Sequence, residues 1–338
     1  MTAAPPPPLA LTLGEPAGVG PEIVAAAWRA LKDGPQAFAV IGDAALLRGQ
    51  GVPVREIAAP WEAVDAFARG LPVLHAPAPA PVTPGRPDPP NAGAVADWIE
   101  QAVGLALSGE VAGLVTAPIA KAPLYAAGFR FPGHTEFLAG LTADAPYAGT
   151  RGPVMMLTAR DLRACLVTIH EPLSAVPALV TAERVMHTAR VVHEALRRDF
   201  GIAAPRLALA GLNPHAGEGG AIGREEQETL IPAATALRRE GIDIGDPRPA
   251  DTLFHDDARA AYDAVLCLYH DQALIPVKTL DFWGGVNATL GLPLVRTSPD
   301  HGTGFDIAGQ GVARPDSLIA AVRLAGEMAG ARAAATGR

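Results

Sequence analysis

Residues 9–28 read LALTLGEPAGVGPEIVAAAW, and this stretch contains a complete strand, loop and helix pattern. Residues 9–13 are mostly apolar and predict a buried strand. The loop that follows has glycine at positions 14, 18 and 20, and Pro21 then stands where the first turn of a helix favours proline. The stretch therefore predicts a strand that ends in a glycine-rich loop and leads directly into a helix.

The same alternation of short apolar runs and amphipathic segments continues through the rest of the chain. Apolar runs bounded by turn residues predict further strands at residues 37–41, 113–116, 154–157, 164–169, 206–210 and 264–269. Helical spacing predicts helices at residues 92–107, 181–198, 224–239 and 315–333. Asn91 would cap the first of these helices, and Asp43 would cap a shorter helix after the second strand. The alternation predicts an α/β fold with parallel strands and with helices on both faces of the sheet.

The composition limits the classes of protein to which the chain can belong. A length of 338 residues predicts about two domains. The 49% of hydrophobic residues, against 18% of charged ones, allow a large buried core and argue against a disordered chain. The formal net charge is −8, so the chain lacks the overall basic charge that is typical of nucleic-acid-binding proteins.

Two features of the sequence predict the cellular compartment. Cys165 and Cys267 lie in apolar runs, which indicates two buried thiols rather than a disulfide framework. The N-terminal sequence lacks the basic segment and the apolar core of a secretion signal, and no apolar run is long enough to predict a membrane span. We therefore expect a cytoplasmic protein with neither a membrane nor a nucleic acid as partner.

The glycine loop after the first strand does not match the common nucleotide-binding loops. Its glycines have the spacing G-x3-G-x-G, whereas the Rossmann loop has G-x-G-x-x-G and an acidic residue about 20 positions later. A Walker loop would end in Gly-Lys-Ser or Gly-Lys-Thr, but Pro21 follows Gly20 here. The sequence therefore contains neither standard nucleotide loop.

Three histidines stand where predicted strands end, which is where open α/β sheets bind ligands. His170, His215 and His270 follow their apolar runs directly or within a short turn. Neutral imidazole binds zinc and other divalent metals, and three ligands with one open position form the catalytic arrangement. The spacings of 45 and 55 residues match no local metal motif. Three unrelated histidines that cap or hydrogen-bond separately therefore remain the alternative.

Other polar residues suit an anion. His134 and Thr135 precede a helix-like segment, where side-chain donors lie beside backbone N–H groups, although Thr135 could simply cap the helix. Lys278, Asn287 and Arg296 lie among apolar or glycine-rich neighbours. Lysine and arginine suit a phosphate or a carboxylate, and surface salt bridges are the alternative for each residue.

A set of long motifs gives the chain a specific resemblance. In chain order they are GEPAGVGPE at residues 14–22, GHTEFLA at 133–139, VTIHEPL at 167–173, LNPHAGEGG at 212–220 with IGREE at 222–226, DTLFH at 251–255, YHDQALIPVKTL at 269–280 and GVNATLGLPLVRTSPDHGTGFDIAG at 285–309. With these motifs the chain resembles, over essentially its whole length, the 4-hydroxythreonine-4-phosphate dehydrogenase family, oxidoreductases of vitamin B6 synthesis. The last motif is also similar to the HGSAPDIAG segment of isopropylmalate and isocitrate dehydrogenases.

The resemblance implies a fold and a role for each candidate residue. The fold would be two α/β/α lobes with an active-site cleft between them, with residues 1–125 and 290–338 in one lobe and residues 126–289 in the other. The metal ligands would be His170, His215 and His270, which would hold one divalent zinc, magnesium or cobalt ion per subunit at the interface of a homodimer. The substrate would be bound by His134, Thr135, Lys278, Asn287 and Arg296, with Asp251 as an additional contact.

The resemblance also implies how the cofactor binds and which residues are candidates for proton transfer. NAD or NADP would contact the glycine-rich loop at residues 298–309 through His301, Gly302, Thr303 and Asp306. This loop shows no clamp for a 2′-phosphate, which favours NAD. Lys278 and Asp251 are the candidates for the group that takes the alcohol proton. Gly304 stands where the family usually has alanine, and TAPIAK at residues 116–121 also departs from the usual family sequence; both departures bear on cofactor fit.

The implied reaction is the metal-dependent and NAD(P)-dependent oxidation of 4-phosphohydroxy-L-threonine to 2-amino-3-oxo-4-(phosphooxy)butanoate. This product then loses CO2 to give 3-amino-2-oxopropyl phosphate. One alternative is a related dehydrogenase that acts on D-erythronate 4-phosphate, D-threonate 4-phosphate or a diol, because a fold does not determine its substrate. The others are a three-histidine metal hydrolase or aldolase, which would need no NAD, and a phosphometabolite-binding protein without catalysis.

Overall fold

Strands and helices alternate along the chain within residues 6–126, 128, 130–131 and 133–336, which are the residues described by the computed structural model. The strands are β1 Leu9–Thr12, β2 Phe38–Gly42, β3 Val54–Glu56, β4 Leu71–His75, β5 Leu114–Thr116, β6 Val154–Ala159, β7 Leu162–Leu166, β8 Arg206–Leu209, β9 Asp243–Ile244, β10 Ala264–Cys267, β11 Val286–Leu290 and β12 Arg296–Pro299. The α-helices are α1 Gly20–Leu31, α2 Ala44–Arg48, α3 Glu62–Ala66, α4 Pro89–Ser108, α5 Lys121–Ala126, α6 His134–Leu141, α7 Val176–Leu179, α8 Ala182–Phe200, α9 Ile231–Arg239, α10 Asp256–Arg259, α11 His270–Leu280 and α12 Asp316–Thr336.

The chain divides into two units. Unit 1 consists of Met1–Pro146 and Pro293–Ala329, and unit 2 consists of Tyr147–Leu292 and Gly330–Arg338. The lobe boundaries expected from the sequence placed residues 126–146 in the second lobe and residues 290–292 and 330–338 in the first. In the structure, the end of α12 lies with unit 2, where Arg332 forms an ion pair with the buried Asp199 at 2.7 Å.

Unit 1 is built on a parallel sheet with the strand order β3-β4-β2-β1-β5-β12. β1 is fully buried, which explains why its sequence, LALT, is a nearly continuous apolar run rather than an alternating one. The helix α4 packs against β1, β2 and β5, and Trp98 on this helix donates a hydrogen bond to the carbonyl of Ala76 at 3.1 Å. The parallel order places the ends of β1, β5 and β12 at one edge of the sheet.

Unit 2 contains a mixed sheet with the strand order β11-β6-β7-β10-β8-β9. The pairs β11–β6 and β6–β7 are antiparallel, whereas β7, β10, β8 and β9 run parallel to one another. One core cluster joins Leu157, Leu166 and Val265 of the strands with Val277 of α11. Both units thus confirm the predicted α/β fold with parallel strands.

Several local predictions are confirmed. Each predicted strand is present with its ends within three residues of the prediction, and the Asp43 side chain accepts a hydrogen bond from the N–H of Ala45 at 2.8 Å as a helix cap. Cys165 and Cys267 are buried free thiols, and burial raises the pKa of Cys165 to about 12. Within the described residues, no helix is both long and apolar enough to cross a membrane.

Two helix predictions were wrong in detail. Asn91 does not cap α4, because the helix begins at Pro89 and Asp88 occupies the capping position. Asn91 is instead buried, and its side-chain oxygen accepts a hydrogen bond from the N–H of Ala80 at 2.9 Å. The helix predicted at residues 224–239 begins with a π-helical turn, Glu226–Leu230, before α9.

Candidate active site

Unit 2 brings the three candidate metal-binding histidines to one edge of its sheet. β7, β10 and β8 are adjacent and parallel, so their carboxyl ends lie side by side. His170 follows β7, His270 follows β10 as the first residue of α11, and His215 follows β8. The structure therefore supports the prediction that all three histidines come after strand ends, and it adds that these strands are neighbours.

Two buried polar side chains join these three strand ends to each other. The hydroxyl of Thr168, which lies between β7 and His170, donates a hydrogen bond to the carbonyl of Leu268 at 2.6 Å. The Gln272 side chain accepts a hydrogen bond from the N–H of Leu268 at 2.6 Å and donates one to the carbonyl of Gly211 at 2.8 Å. Because Leu268 follows β10 and Gly211 follows β8, the segments that lead to the histidines are fixed relative to one another.

Two of the three histidines, His170 and His270, form a close pair, and His215 does not join them. The ring centroids of His170 and His270 lie 5.6 Å apart. Nδ1 of His270 lies 2.7 Å from a carboxylate oxygen of Asp271, and a proton on Nδ1 would leave the Nε2 lone pair for a metal. His215 is exposed, and no three His, Cys, Asp or Glu side chains in the described part of the chain are grouped closely enough to hold a metal ion. The donor chemistry of the pair fits a divalent metal, and the pair needs a further ligand.

Unit 1 contains a buried cation at the start of β12. Arg296 is only 2% exposed, so the alternative of a surface salt bridge is wrong for this residue. Its Nη2 donates a hydrogen bond to the hydroxyl of Thr116 at 2.8 Å and lies 3.3 Å from Nδ1 of His134. Burial lowers the pKa of Arg296 to about 10, so the side chain stays charged at pH 7. A buried guanidinium suits a phosphate or carboxylate ligand.

Beside the Arg296 cation, His134 provides a neutral hydrogen-bond donor. Burial, and secondly the charge of Arg296, hold the pKa of His134 well below its usual value, so the imidazole is neutral at pH 7. Because Nδ1 faces the arginine N–H, Nδ1 accepts the hydrogen bond and Nε2 carries the proton. Nε2 is buried and has no hydrogen-bond partner among the described residues. This N–H group is therefore free to donate to a ligand.

The helix that begins at His134 has a different cap from the one considered in the sequence. Gly133 occupies the capping position of α6, so the alternative that Thr135 caps this helix is wrong. His134 and Thr135 are its first two residues, and both are half-buried. The first turn thus places a side-chain hydroxyl beside backbone N–H groups that lack partners within the helix, which is a favourable environment for an anion.

The pKa of His134 predicts a pH dependence of stability. Lowering the pH from 7 to 5 is expected to reduce the melting temperature of the wild-type protein more than that of His134→Gln. The pKa of His134 is near 6.5 in the unfolded chain and well below 6.5 in the folded protein. At a pH between these two pKa values the unfolded state binds more protons than the folded state, so lowering the pH favours unfolding. The free energy of unfolding changes by at most about 1.4 kcal/mol per pH unit for one proton. His187→Gln, at an exposed position of α8, is the control; equal pH dependence in all three proteins would contradict the prediction.

The other predicted substrate and proton-transfer residues lie in unit 2. Lys278 is half-buried in the last turn of α11, about two turns from His270 on the same helix. Asn287 is half-buried on β11, and its side-chain oxygen is buried without a hydrogen-bond partner in the described residues. Asp251 is exposed in the short turn Ala250–Thr252. The structure thus places Lys278 on the helix that carries a candidate metal ligand.

In unit 1, the first glycine loop supports the loop that is predicted to bind the cofactor. The N–H of Val19 donates a hydrogen bond to the carbonyl of Thr303 at 2.9 Å. A Cβ atom at Gly18 would lie 2.7 Å from the same carbonyl oxygen, so this close approach requires glycine. The Glu22 carboxylate accepts a hydrogen bond from the N–H of Gly311 at 3.0 Å and another from the N–H of Gly309. The spacing of the glycines did not predict this packing role.

The predicted cofactor residues themselves differ in exposure. His301, Gly302 and Asp306 are exposed, and Thr303 is half-buried. Nδ1 of His301 lies 2.9 Å from the carbonyl oxygen of Gly302, and the Asp306 carbonyl accepts a hydrogen bond from the Gln310 side chain at 2.7 Å. The side chains of His301 and Asp306 are thus accessible to a ligand.

Sequence reasoning missed the buried polar residues that support these sites. Thr116 contacts Arg296, and Thr168 and Gln272 join the strand ends. Glu226 is only 2% exposed. The sequence did contain a signal for Thr168 and Gln272 as supporting residues, because each lies two residues from a candidate histidine at a strand end. The burial of Glu226 had no comparable signal, since it is one of two consecutive glutamates.

The fold and these sites define an α/β enzyme with three histidines beyond the carboxyl ends of adjacent parallel strands. Residues 35–325 match the family described as pyridoxal phosphate biosynthetic protein PdxA. The chain belongs to this family, and the resemblance predicted from the motifs is confirmed.

Individual relatives agree with this assignment. A protein from Caulobacter vibrioides, named 4-hydroxythreonine-4-phosphate dehydrogenase, is 64% identical over 327 residues, which cover 96% of this chain and 98% of the relative. The crystal structure of 4-hydroxythreonine-4-phosphate dehydrogenase from Klebsiella pneumoniae has a TM-score of 0.85 and 37% identity, and the match covers 97% of this chain and 99% of that one. A terephthalate 1,2-cis-dihydrodiol dehydrogenase from Burkholderia xenovorans has a TM-score of 0.64 and 29% identity, covering 94% and 97% of the two chains. All three names are those of oxidoreductases.

Proposed function

We propose that this chain is a 4-hydroxythreonine-4-phosphate dehydrogenase that uses NAD or NADP and a divalent metal. The observation that carries the proposal is the 64% identity, over nearly the whole of both chains, with the Caulobacter vibrioides protein of that name. The geometry agrees with it: three histidines follow adjacent parallel strands, and a buried arginine beside a neutral histidine suits a phosphorylated substrate.

The proposed reaction removes a hydride from C3 of 4-phosphohydroxy-L-threonine and a proton from its 3-hydroxyl group. The hydride passes to the nicotinamide ring, and the C3–O bond becomes the carbonyl of 2-amino-3-oxo-4-(phosphooxy)butanoate. The C1–C2 bond of this product then breaks, CO2 leaves and C2 takes up a proton, which gives 3-amino-2-oxopropyl phosphate. A bound divalent metal would supply Lewis-acid chemistry that lowers the pKa of the alcohol.

The residues of the chain divide the remaining tasks. The metal would be held by His170, His215 and His270 through neutral imidazole nitrogens, which suit zinc or cobalt better than magnesium. Arg296 and the Nε2–H of His134 would bind a phosphate or carboxylate, and Thr135 would add donors from the first turn of α6. Asn287 would orient the substrate through its amide. Of the two candidates for accepting the hydroxyl proton, the position of Lys278 on the helix of His270 favours it over the exposed Asp251.

We further propose that the enzyme is a homodimer with its active site at the interface. His170 and His270 are close together, but within the described residues of one chain no third ligand joins them. A histidine from a second copy would complete the set. The helix α11 and the segment after it also expose Ile275, Phe282 and Trp283, which are 65%, 61% and 50% accessible. Burial of these apolar side chains would favour association around Lys278.

An aspartate at position 275 is expected to convert the dimer into a monomer. Ile275 is 65% exposed on α11, so Ile275→Asp would leave the fold of one chain intact but would place a charge in the proposed interface. Sedimentation velocity measures the change. Val312→Asp, at a 60% exposed position of unit 1, is the control and should leave the mass unchanged. A dimer that persists in Ile275→Asp would contradict this placement of the interface.

The formation of NADH by the metal-loaded protein tests the proposed activity. The substrates to compare are 4-phosphohydroxy-L-threonine, D-erythronate 4-phosphate, D-threonate 4-phosphate and a terephthalate cis-dihydrodiol, the last because of the Burkholderia xenovorans neighbour. Turnover of the threonine derivative alone supports the proposal. Turnover of a sugar-acid phosphate or the diol alone would assign a different substrate to the same site. If neither NAD nor NADP is reduced with any substrate, the dehydrogenase proposal is wrong, and turnover without a nucleotide would indicate a metal hydrolase or aldolase.

A further inference from the structure

The turn that carries His215 has an unusual backbone conformation. Within Pro214–Gly220, the five consecutive residues from His215 to Gly219 have φ values of 52°, 52°, 79°, 45° and 65° and form a left-handed turn. Three of these five residues are not glycine, and L-amino acids other than glycine rarely adopt this conformation in succession. The surrounding structure must therefore hold the turn in place.

The residues that hold the turn lie on the π-helical segment Glu226–Leu230. One carboxylate oxygen of Glu226 accepts hydrogen bonds from the N–H groups of Leu212 and Asn213, both at 2.8 Å. The other oxygen accepts a hydrogen bond from the side-chain amide of Asn213 at 3.0 Å. The Gln227 side chain donates a hydrogen bond to the carbonyl of Gly219 at 2.9 Å. Glu226 thus fixes the segment before the left-handed turn, and Gln227, the next residue of the π turn, fixes the far end of the left-handed turn. His215 lies between these two points.

The packing around Glu226 is close. Glu226 is 2% exposed, and a Cβ atom at Gly217 would lie 2.7 Å from one of its carboxylate oxygens. A buried carboxylate with several N–H donors is held in one orientation, and π-helical turns occur often at functional sites. Neither Glu226 nor Gln227 contacts a ligand in the proposed reaction, and the hydrogen bonds of both side chains described above lead to the segment that contains His215.

We propose that Glu226 is the positioning residue for His215: it holds the left-handed turn so that the imidazole is presented for metal binding without reorganisation of the loop. The proposal rests on the proposed function, because it takes His215 as a metal ligand. It predicts that loss of the carboxylate weakens metal binding even though Glu226 touches no metal.

The test is a titration of the metal-free, full-length protein with Co²⁺, followed by cobalt absorption. Glu226→Gln keeps the size of the side chain but places an NH2 group against the amide of Asn213. We expect the dissociation constant for Co²⁺ to rise by about 10-fold to 100-fold, as when other residues that orient a metal ligand are replaced. Glu228→Gln, at an exposed position of the same π turn, is the matched control and should bind Co²⁺ like the wild type.

Two further measurements separate positioning from a purely structural role. Hydrogen exchange of the metal-free protein should become faster over residues 211–223 in Glu226→Gln and stay unchanged in Glu228→Gln. Asn213→Ala, which removes the side-chain hydrogen bonds to Glu226 at 3.0 Å and to Glu225 at 2.7 Å, should show a smaller change in the same direction and serves if Glu226→Gln does not fold. A lower melting temperature with unchanged Co²⁺ affinity would assign Glu226 to the fold alone and would overturn the proposal.

His215→Ala distinguishes failure of this inference from failure of the proposed function. If the wild type binds Co²⁺ and His215→Ala does not, the metal role of His215 is supported and the Glu226 variants test its positioning. If His215→Ala binds Co²⁺ as tightly as the wild type, the proposed metal role of His215 is wrong, and the positioning role of Glu226 is overturned with it.

Discussion

Alanine in place of His270 is expected to lower kcat by roughly a thousandfold or more, because in the proposed function His270 would hold the divalent metal, whose Lewis-acid chemistry would contribute several kcal/mol to oxidation of the alcohol. His270 is the central member of the three histidines, since β10 lies between β7 and β8 in the sheet. Its ring centroid also lies 5.6 Å from that of His170. The variant should lose Co²⁺ binding together with turnover.

His187→Ala is the matched control for this prediction. His187 is exposed on α8 of unit 2 and lies on a helix rather than at a strand end, so its loss should affect neither metal binding nor turnover. The melting temperature of the metal-free His270→Ala protein should stay close to that of the wild type, because the imidazole is only half-buried. Full activity of His270→Ala in the presence of a chelator would contradict a catalytic metal at this edge of the sheet.

The second large effect is expected at Arg296, where activity and stability should change in opposite directions. Arg296→Met is expected to lower kcat/KM for the phosphorylated substrate by about 100-fold, because a charge-assisted hydrogen bond contributes about 1.5–3 kcal/mol to binding. The same variant should unfold at an equal or higher temperature. Arg296 is 2% exposed, and its lowered pKa shows that the fold disfavours its charge, so an apolar side chain of similar length removes a cost of burial.

Steady-state kinetics and thermal unfolding of the same protein samples test both halves of this prediction. Arg323→Met, at an exposed position of α12, should change neither value. The substitution at Arg296 also removes the positive charge that lowers the pKa of His134, so the pH dependence of stability should become weaker in Arg296→Met. A large loss of stability with unchanged KM would show that Arg296 serves the fold rather than the substrate.

The sequence predicted the elements of the site better than it predicted their assembly. The apolar runs before His170, His215 and His270 were correctly assigned as strands, because each is bounded by turn residues. The order β7-β10-β8, however, places the last of the three strands between the other two. Strand order depends on how helices such as α8 and α11 pack across the sheet, and such long-range packing leaves no pattern in a local stretch of sequence.

Burial was the other property that local patterns could not supply. Arg296 was open to interpretation as a surface residue, and only its position on β12, next to β5, shows that its guanidinium lies in the interior beside Thr116. The two consecutive glutamates Glu225 and Glu226 look equivalent in the sequence, yet only Glu226 points inward, because the π turn changes the residues that face the core. The roles of these residues follow from their three-dimensional environment.

The two buried cysteines make the enzyme well suited to fluorescent labelling. Cys165 and Cys267 are the only cysteines in the sequence, and both are buried with raised thiol pKa values, so maleimide dyes should react with them very slowly. A single cysteine introduced at the exposed Val312, just beyond the loop of residues 301–309, would therefore carry almost all of the dye. Its emission would test in real time whether a nucleotide binds at the proposed cofactor loop, without any need to remove the natural cysteines.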